Sequence, residues 1–343
     1  MKGLKSILFA AAALITAPAV ITSCDDWTEP EAKDYYTPPT EGYYNNLKDY
    51  FKSPHKVMFG WFGSWTGSAK ANSLVGLPDS TDFVSLWLVW GNLTPTQQAD
   101  LKAFQARGSK AVLCWRAGNI GDNLTPGGNA QALREEFWGF TTGDPESSKE
   151  AAKKYALAIV DTCVKYGVNG FDYDMEDDGS LMDFSNPEIP NTFMRTLREE
   201  FDKHDMMLVA DIPGAFRGEV GSSGDPSFFR FFKVLDDDVL TGLDYIIWQT
   251  YELDDSGLDW FFDRVKLNRP ELFPQILAKS IVTATFERAA DKYLFPIQST
   301  WEYKDGLPHA GQGAYHIEYD YPGNPDYPTV RKGIATQNPP IRN

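Results

Sequence analysis

The chain has 343 residues, of which 42% are hydrophobic and 14% aromatic, and its formal net charge is −16. This length and composition suit a globular protein with one large core, because α/β barrels reach about 250 residues as a single domain. The negative charge argues against a nucleic-acid partner and against charge-driven binding to acidic membranes.

The first residues have the pattern of a bacterial secretion signal. Lys2 and Lys5 precede an apolar segment, residues 7–20, that is too short for a comfortable transmembrane helix. Residues 21–24, Ile-Thr-Ser-Cys, resemble a bacterial lipobox, which implies a lipoprotein signal peptide over residues 1–23 and lipidation of Cys24. An ordinary cleaved signal peptide is the alternative. A lipid anchor would be the protein's only membrane attachment.

Residues 25–26, Asp-Asp, resemble the surface-display signal of Bacteroidetes lipoproteins. We therefore expect an outer-membrane lipoprotein exposed at the cell surface, with a periplasm-facing position as the alternative. Residues 24–50 are acidic and contain prolines, so they are interpreted as a tether that ends in a short helix at 43–51.

Two further cysteines, Cys114 and Cys163, each lie in an apolar pattern that favours buried free thiols over a disulfide. The sequence contains no CxxC pair and no Cys/His cluster, and its four histidines are scattered. We therefore expect neither a metal site nor a cofactor.

Apolar runs alternate with helical patterns through residues 51–343, the predicted catalytic domain. Eight runs are predicted as strands, at residues 57–62, 82–90, 110–115, 167–176, 206–213, 244–251, 280–287 and 313–319. Helices are predicted at 94–107, 148–166, 191–204 and 256–267, and the first has Thr94 as its N-cap, Pro95 at its first position and Gly108 as its stop. Such alternation implies parallel strands joined by right-handed crossovers. We predict a single-domain α/β fold, a (β/α)8 TIM barrel, with residues 118–145 as a long loop on the active-site face.

The fourth predicted strand carries a row of acidic residues. Asp172, Asp174 and Glu176 share one face, since strand side chains alternate, and their aromatic and apolar neighbours share the other. The acidic row should then point into the barrel, where three unpaired charges would be too costly and a proton is retained, as in a general acid. Glu176 lies where barrel enzymes place catalytic groups, so we predict that it is the catalytic acid. A solvated strand edge, a divalent-metal site and a site that binds sugar without cutting it are the alternatives.

The run from Asn169 to Glu176 resembles the D-x-x-D-x-D-x-E signature of glycoside hydrolase family 18, with Asn169 in the first aspartate position. In that family the first position supports the strand and does not react. The resemblance implies a retaining mechanism in which the substrate's own 2-acetamido oxygen attacks the anomeric carbon. It implies that Glu176 protonates the departing oxygen and later activates water, that Asp174 orients the acetamido group, and that Asp172 holds Asp174.

On the sixth predicted strand, Gln249 and Tyr251 face the same way. This Q-x-Y pattern is similar to that of endo-β-N-acetylglucosaminidases, whereas chitinases tend to have M-x-Y-D. The resemblance implies cleavage between the two core GlcNAc residues of N-glycans, with Tyr251 donating to the acetamido oxygen and Gln249 steadying the intermediate. A polar pair at a strand end is the alternative for the two residues. A chitinase and a non-catalytic surface glycan-binding protein are the alternatives for the function.

Several side chains near strand ends are predicted to contact the sugar, because aromatic faces suit the apolar faces of pyranose rings. For each tryptophan the alternative is a core position. These candidates are Trp61, Trp90, Trp115, Trp248, Glu287 and Trp301. The expected partner is a GlcNAc-containing glycan or glycoprotein, together with other proteins of a glycan-utilisation system.

Overall fold

Eight parallel strands follow one another in chain order around a closed barrel, and the last strand pairs with the first. The computed structural model describes residues 40–87, 89 and 92–339, except for the side chain of Asp305. The predicted signal segment, Cys24 and Trp90 therefore lie outside the described residues. The strands are β1 Val57–Trp61, β2 Phe83–Trp87, β3 Lys110–Arg116, β4 Gly170–Asp174, β5 Met207–Pro213, β6 Tyr245–Gln249, β7 Ser280–Thr285 and β8 Gly311–Tyr315. Each overlaps one of the predicted runs, and the predicted (β/α)8 barrel is confirmed.

Helices connect the strands and bury their apolar faces against the outside of the barrel. They are α1 Glu41–Lys52, α2 Pro95–Ala106, α3 Gln131–Trp138, α4 Pro145–Tyr166, α5 Glu188–Asp202, α6 Phe229–Val234, α7 Asp237–Gly242, α8 Asp255–Asn268, α9 Phe273–Lys279, α10 Leu294–Gln298 and α11 Pro328–Gln337. Within the described part of the chain, none of these helices has both the length and the apolar character needed to span a membrane.

The start of α2 is determined by its local sequence. Thr94 Oγ1 accepts a hydrogen bond from the backbone N–H of Gln97 at 3.2 Å, and the Gln97 side chain accepts one from the Thr94 N–H at 2.9 Å. This capping box satisfies two N–H groups that the first turn leaves free, and the fixed φ of Pro95 suits the first helical position. The predicted N-terminus of this helix is therefore correct.

Residues 118–145 were predicted to be a long loop, and this prediction was wrong in part, because the segment contains the helix α3. Trp138 is the buried residue of this short helix, and its indole N–H donates to Thr125 Oγ1 at 2.9 Å. The helix is short and is flanked by the Gly and Pro residues of this segment, which favoured a loop, so the sequence pattern did not reveal it. The helix ends at Gly139, whose φ of 76° suits glycine.

The barrel interior changes from apolar to polar along the strands. The apolar layers comprise Val57, Phe59, Phe83, Val112, Met207, Val209, Ile247 and Ile281. Polar side chains replace them toward the carboxyl ends of the strands, and these include Ser85, Asp172, Asp174 and Asp211, all of them buried. The carboxyl-terminal face is where barrel enzymes bind their ligands.

Gly170 brings the acidic strand β4 close to β5. Its φ is 145°, and a Cβ at this position would lie 2.0 Å from the carbonyl oxygen of Met207. Glycine therefore allows the two backbones to approach at the base of the strand. In the resulting register Asp174 lies opposite Asp211, which places two carboxyl groups side by side inside the barrel.

Candidate active site

The acidic row of β4 points into the barrel, as the strand alternation predicted. Asp172 and Asp174 are buried, and Glu176 follows the strand at the carboxyl-terminal mouth. Ser85 Oγ on β2 donates to Asp172 Oδ2 at 2.5 Å. The three carboxyl groups thus form a row that runs from the barrel interior to an open cavity.

A fourth carboxyl group, Asp211 on β5, completes this cluster. Its Oδ1 accepts a hydrogen bond from Gln249 Nε2 at 2.7 Å, and its Oδ2 accepts one from the indole N–H of Trp61 at 3.3 Å. The sequence analysis missed this residue. The available signal was a lone aspartate at an alternating position of an otherwise apolar strand, where it has to face the barrel interior.

The environment of the buried acids favours their protonated forms. Burial raises the pKa of Asp172 to about 7, and the neighbouring Asp174 adds to that shift. Burial, followed by the charges of the surrounding carboxylates, also holds the pKa values of Asp174 and Asp211 well above the usual aspartyl range. Asp211, which was not among the predicted residues, therefore belongs to the carboxyl groups that raise one another's pKa values.

Arg116, at the end of β3, is the cation of the site and was also missed. Its guanidinium forms an ion pair with Glu176 Oε2, and it lies 3.8 Å from Asp174 Oδ2 and 3.5 Å from Asp177 Oδ2. About half of this side chain is exposed, since its relative accessibility is 52%. The predicted strand ended at residue 115, one residue before Arg116. Arg116, which faces the barrel interior, was therefore not considered.

Gln249 connects the two sides of the site. Its Nε2 donates to Glu176 Oε1 at 2.9 Å as well as to Asp211. Tyr251 faces the same cavity, and burial, followed by the charge of Asp211, raises the pKa of its hydroxyl far above the ordinary tyrosine value. A neutral phenol is a hydrogen-bond donor, which is the property a carbonyl or acetamido oxygen would require.

Two cavities meet at Glu176. The inner cavity has a volume of about 110 Å³ and lies between Asp174, Asp211 and the aromatic side chains of the barrel mouth. The outer cavity has a volume of about 240 Å³ and extends toward residues 213–216 after β5. Glu176, Gln249 and Tyr251 line both cavities, so a carboxyl group stands at the boundary between two binding spaces.

Of the predicted aromatic contacts that the structure describes, only Trp61 lines the inner cavity. The sequence analysis missed two other rings there, Trp87 on β2 and Tyr315 on β8, which meet edge to face with centroids 5.2 Å apart. Tyr251 stacks on Tyr315 with centroids 5.6 Å apart. These four rings provide an aromatic lining beside the carboxyl groups, and Trp61 contacts one of them through its hydrogen bond to Asp211.

The other three predicted tryptophans that the structure describes are core residues, so their assignment to sugar binding was wrong. Trp115 and Trp248 are fully buried against the helices, because each lies one position out of the inward-facing register of its strand. The indole of Trp301 donates to Asp259 Oδ1 at 3.0 Å and stacks on Phe262. Glu287 is exposed beyond β7 and lines neither of the two cavities.

Within the described residues, one group has ligand atoms spaced for a metal ion: Cys114, Asp172 and Asp211, whose atoms lie within 4.8 Å of one another. All three are fully buried, and burial raises the pKa of each. Raised pKa values favour the neutral, protonated forms, whereas metal ligation requires deprotonated groups. The cluster is therefore better suited to sharing protons than to holding a cation.

Comparison with known proteins identifies relatives of the whole barrel. The family model described as "Glycoside hydrolase family 18, BT1044-like" matches residues 24–211. The solved structure of a glutamate-to-glutamine variant of BT1044 is 30% identical, covers 91% of this chain and 96% of its own, and superposes with a TM-score of 0.71. No curated protein sequence matches significantly.

More distant structures share the fold. An endo-β-N-acetylglucosaminidase from Cordyceps militaris is 18% identical, with 88% of this chain and 98% of that chain covered and a TM-score of 0.61. A family 18 chitinase from Pseudoalteromonas aurantia is 11% identical, with 82% and 99% covered and a TM-score of 0.53. At these identities the likeness shows the common barrel alone.

Proposed function

This chain belongs to glycoside hydrolase family 18, in its BT1044-like group, and we propose that it is an endo-β-N-acetylglucosaminidase that cleaves the GlcNAc-β1,4-GlcNAc core of N-glycans. The observation that carries the proposal is Gln249, which donates to both Glu176 and Asp211 across the boundary of the two cavities. This contact joins the Q-x-Y pattern of β6 to the acidic row of β4 in one site.

The reaction would begin with a GlcNAc residue in the inner cavity and its leaving group in the outer one. Glu176 lies at the boundary between them and would protonate the glycosidic oxygen. The substrate's acetamido oxygen would attack the anomeric carbon as the C–O bond breaks, which forms an oxazolinium intermediate. Tyr251 would donate to the acetamido oxygen. Asp174, once its proton has passed to the neighbouring Asp172, would accept from the acetamido N–H and balance the positive charge.

The second step returns every group to its starting state. Water enters from the side vacated by the leaving group, and Glu176, now a carboxylate, removes its proton as the oxygen bonds to the anomeric carbon. The oxazolinium ring opens, the acetamido group is restored and the anomeric configuration is retained. Asp172, held by Ser85, supports Asp174 from below during both steps.

Substrate choice follows from this chemistry, because only a sugar with an N-acetyl group at C2 supplies the internal nucleophile. The inner cavity, at about 110 Å³, is small and is lined by Gln249 and Tyr251. The Q-x-Y pattern of these two residues favours an N-glycan core over chitin as the substrate.

The test is a product analysis by mass with the full-length protein. An N-glycoprotein and chitin oligomers are incubated separately with the protein and with its Glu176→Gln variant as the inactive control. The proposal predicts a single GlcNAc left on the glycoprotein. Breakdown of chitin alone would instead assign a chitinase, and binding without any cleavage would assign a glycan-binding protein.

The proposed location of the protein rests on the sequence. We propose that Cys24 carries a lipid anchor that holds the protein on the outer membrane, where other glycan-utilisation proteins would process its products. Incorporation of a labelled fatty acid into the wild-type protein, with none into a Cys24→Ser variant, would support this. Equal labelling, or full release of the wild type into the medium, would contradict it.

A further inference from the structure

The outer cavity has an aromatic wall that takes no part in the proton transfers of the proposed reaction. Phe216 follows β5 and lines this cavity together with Phe228, and the two rings meet edge to face with centroids 5.1 Å apart. Both rings line the outer cavity, and neither lines the inner one. We propose that Phe216 is a specificity-determining residue that stacks on the leaving-group GlcNAc, an inference that rests on the proposed function.

Phe216 is exposed to solvent although its backbone is anchored. The ring is 51% exposed. The Phe216 N–H donates to Glu219 Oε2 at 2.9 Å, and Glu219 Oε1 accepts from the N–H of Ser227 at 2.7 Å, which ties this segment to the residue preceding Phe228. A large ring held in water without an apolar cover, at a cavity that contains a carboxyl group, is suited to binding a ligand.

A neighbouring contact network also fixes this wall. The backbone N–H of Arg217 donates to Glu252 Oε2 at 3.3 Å, and Arg217 Nη2 lies 3.4 Å from the hydroxyl of Tyr293. These contacts link the segments that follow β5, β6 and β7. The ring of Phe216 is therefore presented by a braced loop, and little conformational freedom is lost when a ligand binds.

Gly214 lines the outer cavity and lies against the end of β6. A Cβ at this position would lie 2.8 Å from the carbonyl oxygen of Gln249, so glycine allows the chain to pass directly over β6 on its way to Phe216. The volume of about 240 Å³ accommodates one pyranose ring. An apolar C–H face against Phe216 would turn the glycosidic oxygen toward Glu176, which lines the same cavity.

The decisive comparison uses two substrates that carry the same glycan. One has the natural GlcNAc leaving group, and the other is the preformed oxazoline of the glycan, which needs no leaving group. For Phe216→Ala in the full-length protein we expect kcat/KM on the natural substrate to fall about 10-fold, a typical effect of losing one aromatic stacking contact. Hydrolysis of the oxazoline should keep its wild-type rate.

Conservative variants distinguish stacking from bulk. Phe216→Tyr and Phe216→Trp should restore activity on the natural substrate, whereas Phe216→Leu should not, since it keeps an apolar side chain without a ring face. Equal losses on both substrates would mean that the substitution damages the inner cavity, and an unchanged natural rate would remove Phe216 from the reaction. If the wild type itself cleaves neither substrate, the proposed function is wrong. That outcome is distinct from a failure of the Phe216 proposal, which requires an active wild type and a variant that behaves like it.

Discussion

Arg116 and Glu176 form an ion pair at the mouth of the barrel, and both reach it from the ends of adjacent strands. The guanidinium occupies one oxygen of this carboxyl group, whereas a general acid has to direct a proton at the glycosidic oxygen when the substrate arrives. Asp177, at 3.5 Å from Arg116 Nη1, offers the guanidinium a second partner. Arg116 therefore has to turn toward Asp177, or leave, before Glu176 can act as an acid.

Replacing this arginine should change the pH dependence of the reaction. Arg116→Met removes the charge and keeps an unbranched apolar chain. Burial and the neighbouring carboxylates raise the pKa of Asp174 and the charge of Arg116 lowers it, so this pKa should rise further in the variant. We expect the acid limb of the kcat/KM profile, which follows the ionisation of Asp174, to move to higher pH. Besides Arg116, the charged or titratable groups around Glu176 are Asp174, Asp177, Asp211, Tyr251 and Tyr315, and all of them are unchanged in this variant.

The matched control is Arg288→Met. Arg288 also lies on the carboxyl-terminal face, where it pairs with Glu252 and Asp291, and it makes no contact with Glu176. Its removal should leave the profile in place. If Arg116→Met lowers the rate by the same factor at every pH, Arg116 binds the substrate and does not set the pKa of Asp174.

Glu176→Gln should remove turnover and leave the fold intact. The amide is isosteric and keeps an oxygen for the hydrogen bond from Gln249, but it cannot transfer a proton. General acid–base catalysis contributes about 10²- to 10⁴-fold, and we expect a loss in kcat of that order. Glycan affinity, measured by calorimetry, should be retained. Asp178→Asn, at an exposed residue that lines neither cavity, serves as the control and should keep most of the activity.

The raised pKa of Asp172 predicts how stability depends on pH. An aspartyl group in the unfolded chain titrates near ~3.9, whereas Asp172 in the folded protein titrates at about 7. Between these values the folded chain holds a proton that the unfolded chain has released, so the free energy of unfolding decreases as the pH rises. Asp172→Asn removes this contribution, and its unfolding free energy should decline less steeply between pH ~4 and ~7.

Denaturant unfolding at several pH values measures this slope. Asp183→Asn is a control whose effect on the slope has the opposite sign. Partial burial raises the pKa of Asp183, but hydrogen bonds from Ser185 and Asn186 lower it by more, so the net shift is downward. Its contribution is present above the unfolded pKa and is lost as the pH falls. Parallel curves for wild type and Asp172→Asn would show that Asp172 is not protonated in the folded state. Asp174 and Asp211 keep part of the slope in either case.

The barrel could be predicted from the sequence because its strands are apolar runs that alternate with amphipathic helices. The acidic row was visible for the same reason, since Asp172, Asp174 and Glu176 follow the period of one strand. Asp211 and Arg116 come from neighbouring strands, and their place beside the row depends on interstrand register. That register results from long-range pairing, which a single sequence does not reveal.

Asn169, the departure from the family signature, has a structural role at the other end of the strand. Its Oδ1 accepts hydrogen bonds from the N–H of Ala111 at 3.0 Å and from Gln105 Nε2 at 2.8 Å. Asn169→Asp keeps both acceptor functions, so we expect unchanged activity and only a small change in stability. Asn169→Ala leaves the donors unpaired and should cost about 1–3 kcal/mol of unfolding free energy. A change in kcat for the aspartate variant would contradict this role.

Trp115 and Trp87 lie on neighbouring strands and should respond to mutation in opposite ways. Trp115 faces the helices, packs on Phe171 and donates to the hydroxyl of Tyr155 at 3.0 Å. Trp115→Ala should therefore destabilise the fold by about 3–5 kcal/mol, with normal activity per folded molecule. Trp87 faces the inner cavity, so Trp87→Ala should raise KM and leave the melting temperature nearly unchanged.

Melting temperatures and kinetics on the same preparations separate the two effects. The assignment depends on strand alternation, because Trp115 lies one position before the inward-facing Arg116 and Trp87 lies two positions after the inward-facing Ser85. A loss of activity in Trp115→Ala without a loss of stability would mean that this side chain reaches the substrate. Stability loss confined to Trp87→Ala would reverse the assignment and with it the register of β2 against β3.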